Sequence, residues 1–373
     1  MAILLNGPAP ASAQEIRFPE RWNARPAARI LQTDTVTIRV LGDLMMHSDQ
    51  IRCAEKPDGK YDFSSYFTHI KKYLEGSDLN VGNMEFTLGG TPYTGYPAFS
   101  SPDEYAYEIA ESGFNIFLAA NNHICDTYGP GMKRTLEIYR KMKETHGIHF
   151  TGIAGNAEEK TQTTPLIVEV RGIRIGIINA TYGTNLSGGS AWPATNYLND
   201  RKTLQAALKK AEESADITIA FIHWGEEYIL KHNSSQEKTA GWLAENGADI
   251  IIGGHPHVAQ DAGTIKVETE EGAREVPVAY SLGNAISNMS AANTQIGLMA
   301  TIRLVRKLNG RIECLPLKFT YLWSSRPGGY GRSYTILPVE EQLENSEAWH
   351  GKWEHEKMTD TYNRVRKATG IKE

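Results

Sequence analysis

Cysteine is scarce in this chain, with Cys53, Cys125 and Cys314 among 373 residues and no Cys-x-x-Cys pair. Neither a disulfide scaffold nor a zinc-thiolate site is supported, and the count leaves room for one bridge at most. Long apolar runs are also missing: no stretch of about 18 consecutive apolar residues occurs, so no ordinary membrane span is encoded. There is no basic excess either, because 39 Lys and Arg stand against 44 Asp and Glu for a net charge of -5. That makes nucleic acid a poor partner. An anionic ligand would have to be met by local charge, which favours a metal-centred site. Internal repeats and low-complexity tracts are absent.

What remains is ordinary for a globular protein, 40% hydrophobic and 22% charged. The length suits one large α/β domain with decorated loops, or one domain with an appendage. Residues 1–33 mix Pro, Ala and Arg without periodicity and read as a leader and linker. Within them Ala11-Ser12-Ala13 looks like a signal-peptidase site, although no basic residue precedes the short apolar stretch. An extracytoplasmic location, periplasmic or secreted, is expected, with the cytoplasm as the alternative. Residues 34–325 form the expected domain, and 326–373, Gly- and Arg-rich and then charged, read as a peripheral extension.

Apolar runs of strand length alternate with amphipathic stretches. Strands are expected at 35–42, 78–82, 114–120, 217–223, 250–252, 276–281, 296–304 and 315–323, with a hairpin at 166–170 and 173–180. Helices are expected at 63–74, from Pro102 to Gly113, and at 130–146, 200–214 and 234–246. The alternation predicts a layered α/β architecture with some antiparallel pairing toward the C-terminal half.

Residues suited to metal binding stand at the carboxyl ends of five of these strands. They are Asp43 with His47; Asn83 with Glu85; Asn122, His123 and Asp126; His223 and Glu227; and His255 with His257. In α/β sheets such ends converge on one edge, where ligands bind. Imidazole, carboxylate and amide oxygen without thiolate suit zinc, manganese, iron or magnesium. The His-x-His spacing puts both imidazoles of 255 and 257 on one side of an extended segment stiffened by Pro256, and Gly253 and Gly254 let the backbone close in beside them.

A single buried histidine is most often a hydrogen-bonded core residue. Four at strand ends are another matter, because burying four polar rings for packing alone would be costly. Asp43 alone could be a turn residue, Asn122 a left-handed turn, Asp126 a helix cap, and Glu85 and Glu227 solvated charges. In company with the histidines they read as ligands or as the carboxylates that orient them. His47 reads equally as a ligand or as a loop residue at the mouth. His69, His146, His149 and His232 read as structural or surface residues.

Six segments occur in a familiar order: Gly42-Asp43, Asn83-x-Glu85, Ala119-Ala120-Asn121-Asn122-His123-x-x-Asp126, His223-Trp224-Gly225-x-Glu227-Tyr228, Gly254-His255-Pro256-His257 and Tyr280-Ser281-Leu282-Gly283-Asn284. Across residues 36–325 the chain resembles the CapA, or PgsA, family of poly-γ-glutamate capsule biosynthesis proteins. That family is in turn similar to the calcineurin-like metallophosphoesterases. The resemblance implies a sandwich of two mixed sheets flanked by helices, holding two divalent metal ions. By it Asp43 would bridge the ions, Asn122, His223 and His255 would serve one, and His257 the other with carboxylate help from Glu85. His123 with Asp126 would be catalytic, and His47, Asn83, Glu227 and Asn284 would orient ligands or touch substrate. Metallophosphoesterases carry Asp-x-His on the first strand, whereas Met45 stands here, and their second-strand aspartate is replaced by Asn83-x-Glu85. Ala285 also stands where the capsule proteins commonly have Phe.

Two functions fit. One is a metal-dependent hydrolase or transferase acting on phosphoester or γ-glutamyl amide bonds, with water activated by the ion pair and His123 as proton donor. The other is a non-catalytic factor that binds an anionic polymer or docks on a membrane capsule-synthesis complex.

Overall fold

The computed structural model describes residues 35–269 and 272–372. The leader expected at 1–33 lies outside the described residues.

Two mixed sheets pack face to face. The larger has nine strands, running in the order Thr335–Pro338, Lys318–Ser325, Ile296–Arg306, Thr35–Leu44, Leu79–Met84, Ile116–Leu118 and His149–Thr151, with Asn284–Ile286 added beside Thr35–Leu44 and Ile312–Cys314 beside Ile296–Arg306. The smaller has six, in the order Ala262–Thr269, Gly272–Ala279, Ile250–Gly254, Ile217–His223, Ile173–Thr181 and Leu166–Val170. This is the expected α/β sandwich of two mixed sheets flanked by helices.

Side-chain alternation along the strands builds three apolar layers. Ile38 and Val40 face inward onto Ile219, Phe221 and Ile252 of the other sheet. Ile222 and Ile251 point outward against Leu204, Leu208 and Leu243, on the helices Arg201–Ser214 and Ser234–Glu245. On the far side of the large sheet, Phe114 and Phe117 meet Tyr105, Ile109 and Tyr139 from the helices Asp103–Glu111 and Tyr128–His146. Burying each such side chain is worth about 1.5–3 kcal/mol.

The hairpin forms as expected, with Arg171 and Gly172 both at positive φ in its two-residue turn. Three expectations are corrected. Only Lys71–Glu75 is helical in the 63–74 stretch. Phe63, Tyr66, Phe67 and Ile70 are buried at a helical spacing, but Tyr66 N–H bonds to Phe63 O and Ile70 N–H to Phe67 O, in successive turns. The strand expected at 315–323 is Lys318–Ser325, preceded by the short Ile312–Cys314. Of the extension expected at 326–373, the described residues 326–372 are not peripheral: Thr335–Pro338 extends the large sheet, and the helix Lys352–Thr369 buries Met358, Tyr362 and Val365 in the core between the sheets. The signals were in the sequence, a short uncharged run at 334–339 and Met358, Tyr362 and Val365 at helical spacing, but they are brief and set among charged residues. All three cysteines are free, and no helix among the described residues is long and apolar enough to cross a membrane.

Candidate metal centre

Strand register brings the candidate residues level. In the large sheet Asp43 pairs with Asn83 on one side and Asn284 on the other. In the small sheet His223 pairs with Thr181 and Gly254. The two rows end on the same edge of the sandwich, with Asp43 reaching across it. One Asp43 oxygen accepts from Asn83 Nδ2 at 2.7 Å, and the other lies 3.3 Å from the His255 amide nitrogen and 3.4 Å from His257 Nδ1.

Glu85 sits at the centre. Its Oε1 is 3.6 Å from His223 Nε2 and 3.7 Å from His257 Nε2. Among the described residues two buried groups can hold a cation, Asp43 with Glu85 and His223, and Glu85 with His255 and His257, the donor atoms in each lying within 4.8 Å of one another. Glu85 is common to both. The resemblance gives Asp43 the bridging place and sets His255 beside His223, whereas this geometry groups His255 with His257. Asn122 Oδ1 lies 2.8 Å from His223 Nε2, beside the first group.

The donors fit a divalent cation. Glu85 Oε1 and His255 Nδ1 are buried and make no hydrogen bond among the described residues, which is costly for groups that face only protein. Oxygen–nitrogen separations of 3.6–3.7 Å are too long for hydrogen bonds but close to the roughly 3.3–3.5 Å between two ligands bound at about 2.0–2.2 Å on a tetrahedral ion. Among the described residues the ion pairs of Asp43 and Glu85 are all with histidines, and no lysine or arginine pairs with either buried carboxylate.

Electrostatics tell the same story. Burial, together with the neighbouring Asp43 charge, pushes the Glu85 carboxyl well above its ordinary range. For Asp43 burial acts upward but is outweighed by the His257 hydrogen bond and the histidine charges, which hold its carboxyl well below the usual value. Burial lowers His223 strongly, His255 to about 3 and His47 to about 4. Near pH 7 these three imidazoles are therefore neutral, the form in which histidine binds metal, and they carry charge only at low pH, toward the range where the Asp43 carboxyl itself titrates.

A pH prediction follows. Each of these histidines takes up a proton more readily unfolded, near its ordinary 6.5, so the unfolded chain binds more protons below that pH and metal-free stability falls as pH drops from about 6.5 toward 4. Glu85 acts oppositely: its contribution is full below 4.5 and is lost as pH rises. Three groups outweigh one, and urea unfolding in chelator should show a loss on the order of 2 kcal/mol between pH 7.5 and pH 5. Equal or greater stability at pH 5 would refute the assignment of neutral buried imidazoles.

Beside the two groups lies a dyad. His123 Nδ1 donates to Asp126 Oδ2 at 2.6 Å, and the same oxygen accepts the Phe99 N–H at 2.7 Å. The imidazole is thereby oriented with Nε2 free of the carboxylate. Asn121 braces the region by accepting the His123 N–H and donating to Asn83 Oδ1 and Met84 O. His47 is in neither cation group. It caps the helix Ser48–Ala54 through a reciprocal pairing with Gln50 and packs edge-on against Phe99, which also packs against His123. Glu227 is exposed at the rim, close enough to raise Tyr182, Tyr228 and Glu85. His232, read as structural, pairs with Asp261 and stacks on Tyr280.

Residues 37–289 match the family described as "Bacterial capsule synthesis protein PGA_cap". The chain belongs to that family. It is 25% identical over 309 residues to "Capsule biosynthesis protein CapA" of Bacillus anthracis, covering 80% of this chain and 71% of that protein. To "PGA biosynthesis protein CapA" of Bacillus subtilis (strain 168) it is 26% identical over 319 residues, covering 81% and 77%. Among solved structures it is similar to the NAD nucleotidase NadN of Haemophilus influenzae, with TM-score 0.47 and 14% identity over 89% of this chain. It spans only 63% of that chain, and a likeness so distant carries no argument about function.

Sequence reasoning missed Tyr182 and Asn185. Tyr182 packs over His255 at 4.5 Å between ring centroids, and Asn185 Nδ2 lies 3.5 Å from both ring nitrogens of His123. They follow the carboxyl end of Ile173–Thr181, the same signal that marked the other sites, but carry neither imidazole nor carboxylate.

Proposed function

We propose that this member of the capsule synthesis family is a metal-dependent hydrolase or transferase acting on poly-γ-glutamate or a related cell-envelope polymer, outside the cytoplasm, with two divalent ions held by Asp43, Glu85, Asn122, His223, His255 and His257. The observation that carries the reading is the pair of buried three-residue groups joined through Glu85. Bound there, the ions would supply Lewis-acid activation of water and stabilisation of developing negative charge. The side chains do the rest. Asp43 and Glu85 provide the anionic charge that the ions require, and Asn83 holds Asp43 in place. His123, oriented by Asp126 and outside both groups, delivers a proton to the leaving group from Nε2.

Purified chain should contain divalent metal by elemental analysis and turn over phosphoesters or γ-glutamyl peptides in a metal-dependent way. Full turnover after complete chelation would sink the reading. His123→Ala should lower kcat by about 10²–10⁴-fold while metal content stays at the wild-type level. The departure at Met45, where phosphoesterases carry histidine, leaves one ion with fewer ligands and favours a second reading, a polymer-binding or assembly factor without turnover. If His123→Ala fully supported polymer assembly, that second reading would replace the first.

A further inference from the structure

His257 Nδ1 faces two acceptors, Asn284 Oδ1 at 2.9 Å and Asp43 Oδ2 at 3.4 Å. It must therefore carry the ring proton, which leaves Nε2 bare toward Glu85. What makes Asn284 present oxygen rather than nitrogen is the other end of its amide. Asn284 Nδ2 donates to the Thr294 carbonyl at 3.0 Å and to Ser287 Oγ at 3.1 Å. A carbonyl only accepts, so the amide cannot turn over without setting oxygen against oxygen.

Ser287 is itself held by the strand Lys318–Ser325, and Gln295, next to Thr294, by that strand and the C-terminal helix. Ser287 N–H donates to Ser324 Oγ, and Ser324 Oγ donates back to Ser287 O, both at 3.2 Å. Gln295, next to Thr294, donates through Nε2 to Ser324 O at 3.0 Å and to Glu354 Oε1 at 3.1 Å. Glu354, in the first turn of the helix Lys352–Thr369, also accepts from Arg326 N–H and Ser325 Oγ. Its carboxylate is 1% exposed and lies so close to Gly329 that a Cβ there would come within 1.2 Å of Oε2. Asn284, Ser287, Thr294 and Ser324 are fully buried. The family match ends at residue 289, so Thr294, Gln295, Ser324 and Glu354 all lie beyond it.

We propose that Glu354 is a positioning residue of the metal centre: the buried chain Glu354, Gln295, Ser324 and Ser287 locks the Asn284 amide, and the locked amide fixes His257 as the tautomer with Nε2 bare for a divalent ion. This rests on His257 being a metal ligand, as in the function proposed above. A packed but purely structural anchor would affect stability alone, whereas a tautomer lock affects the affinity of the site for metal. Outer-shell partners of ligating histidines typically carry 10–100-fold in metal affinity.

The test uses the full chain and zinc ions, with affinity measured by competition against a chromophoric chelator and the His257 tautomer read by ¹⁵N NMR of histidine-labelled, metal-free protein. Glu354→Ala should weaken zinc binding by about tenfold and give a mixed His257 tautomer, and Ser287→Ala, which removes one of the two acceptors of Asn284 Nδ2 but leaves the Thr294 carbonyl, should do both to a smaller extent. Glu354→Gln, which keeps an acceptor for Gln295 and Arg326, should stay close to wild type in both. Wild-type affinity and a pure Nδ1–H tautomer in Ser287→Ala would overturn the proposal, and that variant decides the matter if Glu354→Ala does not fold. Equal losses in Glu354→Gln and Glu354→Ala would also overturn it. If the wild-type chain bound no zinc, the function proposed above would fall, while the NMR comparison would still decide whether the chain of contacts sets the tautomer.

Discussion

Asp43→Asn should lower kcat/KM by about 10³-fold or more, equivalent to about 4 kcal/mol of transition-state stabilisation, and strip the site of tightly held metal. Asp43 is completely buried and contacts Asn83, the His255 amide and His257 at once. All three present donors, so either orientation of an asparagine amide would set an N–H against an N–H. The change also deletes one of the two carboxylates that offset the charge of the ions. Chelator-competition affinity and turnover at limiting and saturating metal would separate the two effects: a defect cured by excess metal is one of affinity, and a residual defect is one of chemistry. Wild-type metal content together with wild-type turnover would remove Asp43 from the centre.

Gly253→Ala should be strongly damaging although it alters no ligand side chain. A Cβ at Gly253 would lie 1.9 Å from the Tyr280 carbonyl oxygen and 2.5 Å from Trp224 Nε1, and that indole already donates to the same carbonyl at 2.9 Å. Backbone cannot step aside as a flexible side chain can, so the strand Ile250–Gly254 must move away from Tyr280. The expected cost is about 3 kcal/mol or more by urea unfolding. Because His255 and His257 follow within four residues, metal affinity should fall with it. Near-wild-type stability would mean that this strand spacing has slack.

Much of the centre was legible because its signal is local. Imidazole, amide and carboxylate residues at the ends of apolar runs announce metal chemistry wherever the chain turns out of a sheet, and strands of that kind share an edge. Asp43, Asn122, His223, His255 and His257 were all marked this way. His47 was left open between ligand and loop, and the structure places it as a helix cap behind Phe99, a difference of backbone direction that four residues of sequence cannot express. Tyr182 and Asn185 were passed over because neither side chain looks like a ligand.

The C-terminal segment shows the opposite limit. Glu354 stands in a charged stretch that reads as solvent-facing, yet it is buried against Gln295 and Ser325, residues 59 and 29 positions away. By itself the sequence determined the α/β class, the family and the chemical kinds of donor, since each depends on side-chain identity and on periodicity along a few residues. Only the tertiary structure decided that Glu85 is common to the two candidate cation groups, that His257 turns Nε2 toward Glu85, and that residues 326–372 pack into the sandwich. Those depend on register between strands and on contacts across the sheets, where a shift of a single residue would turn each side chain to the opposite face.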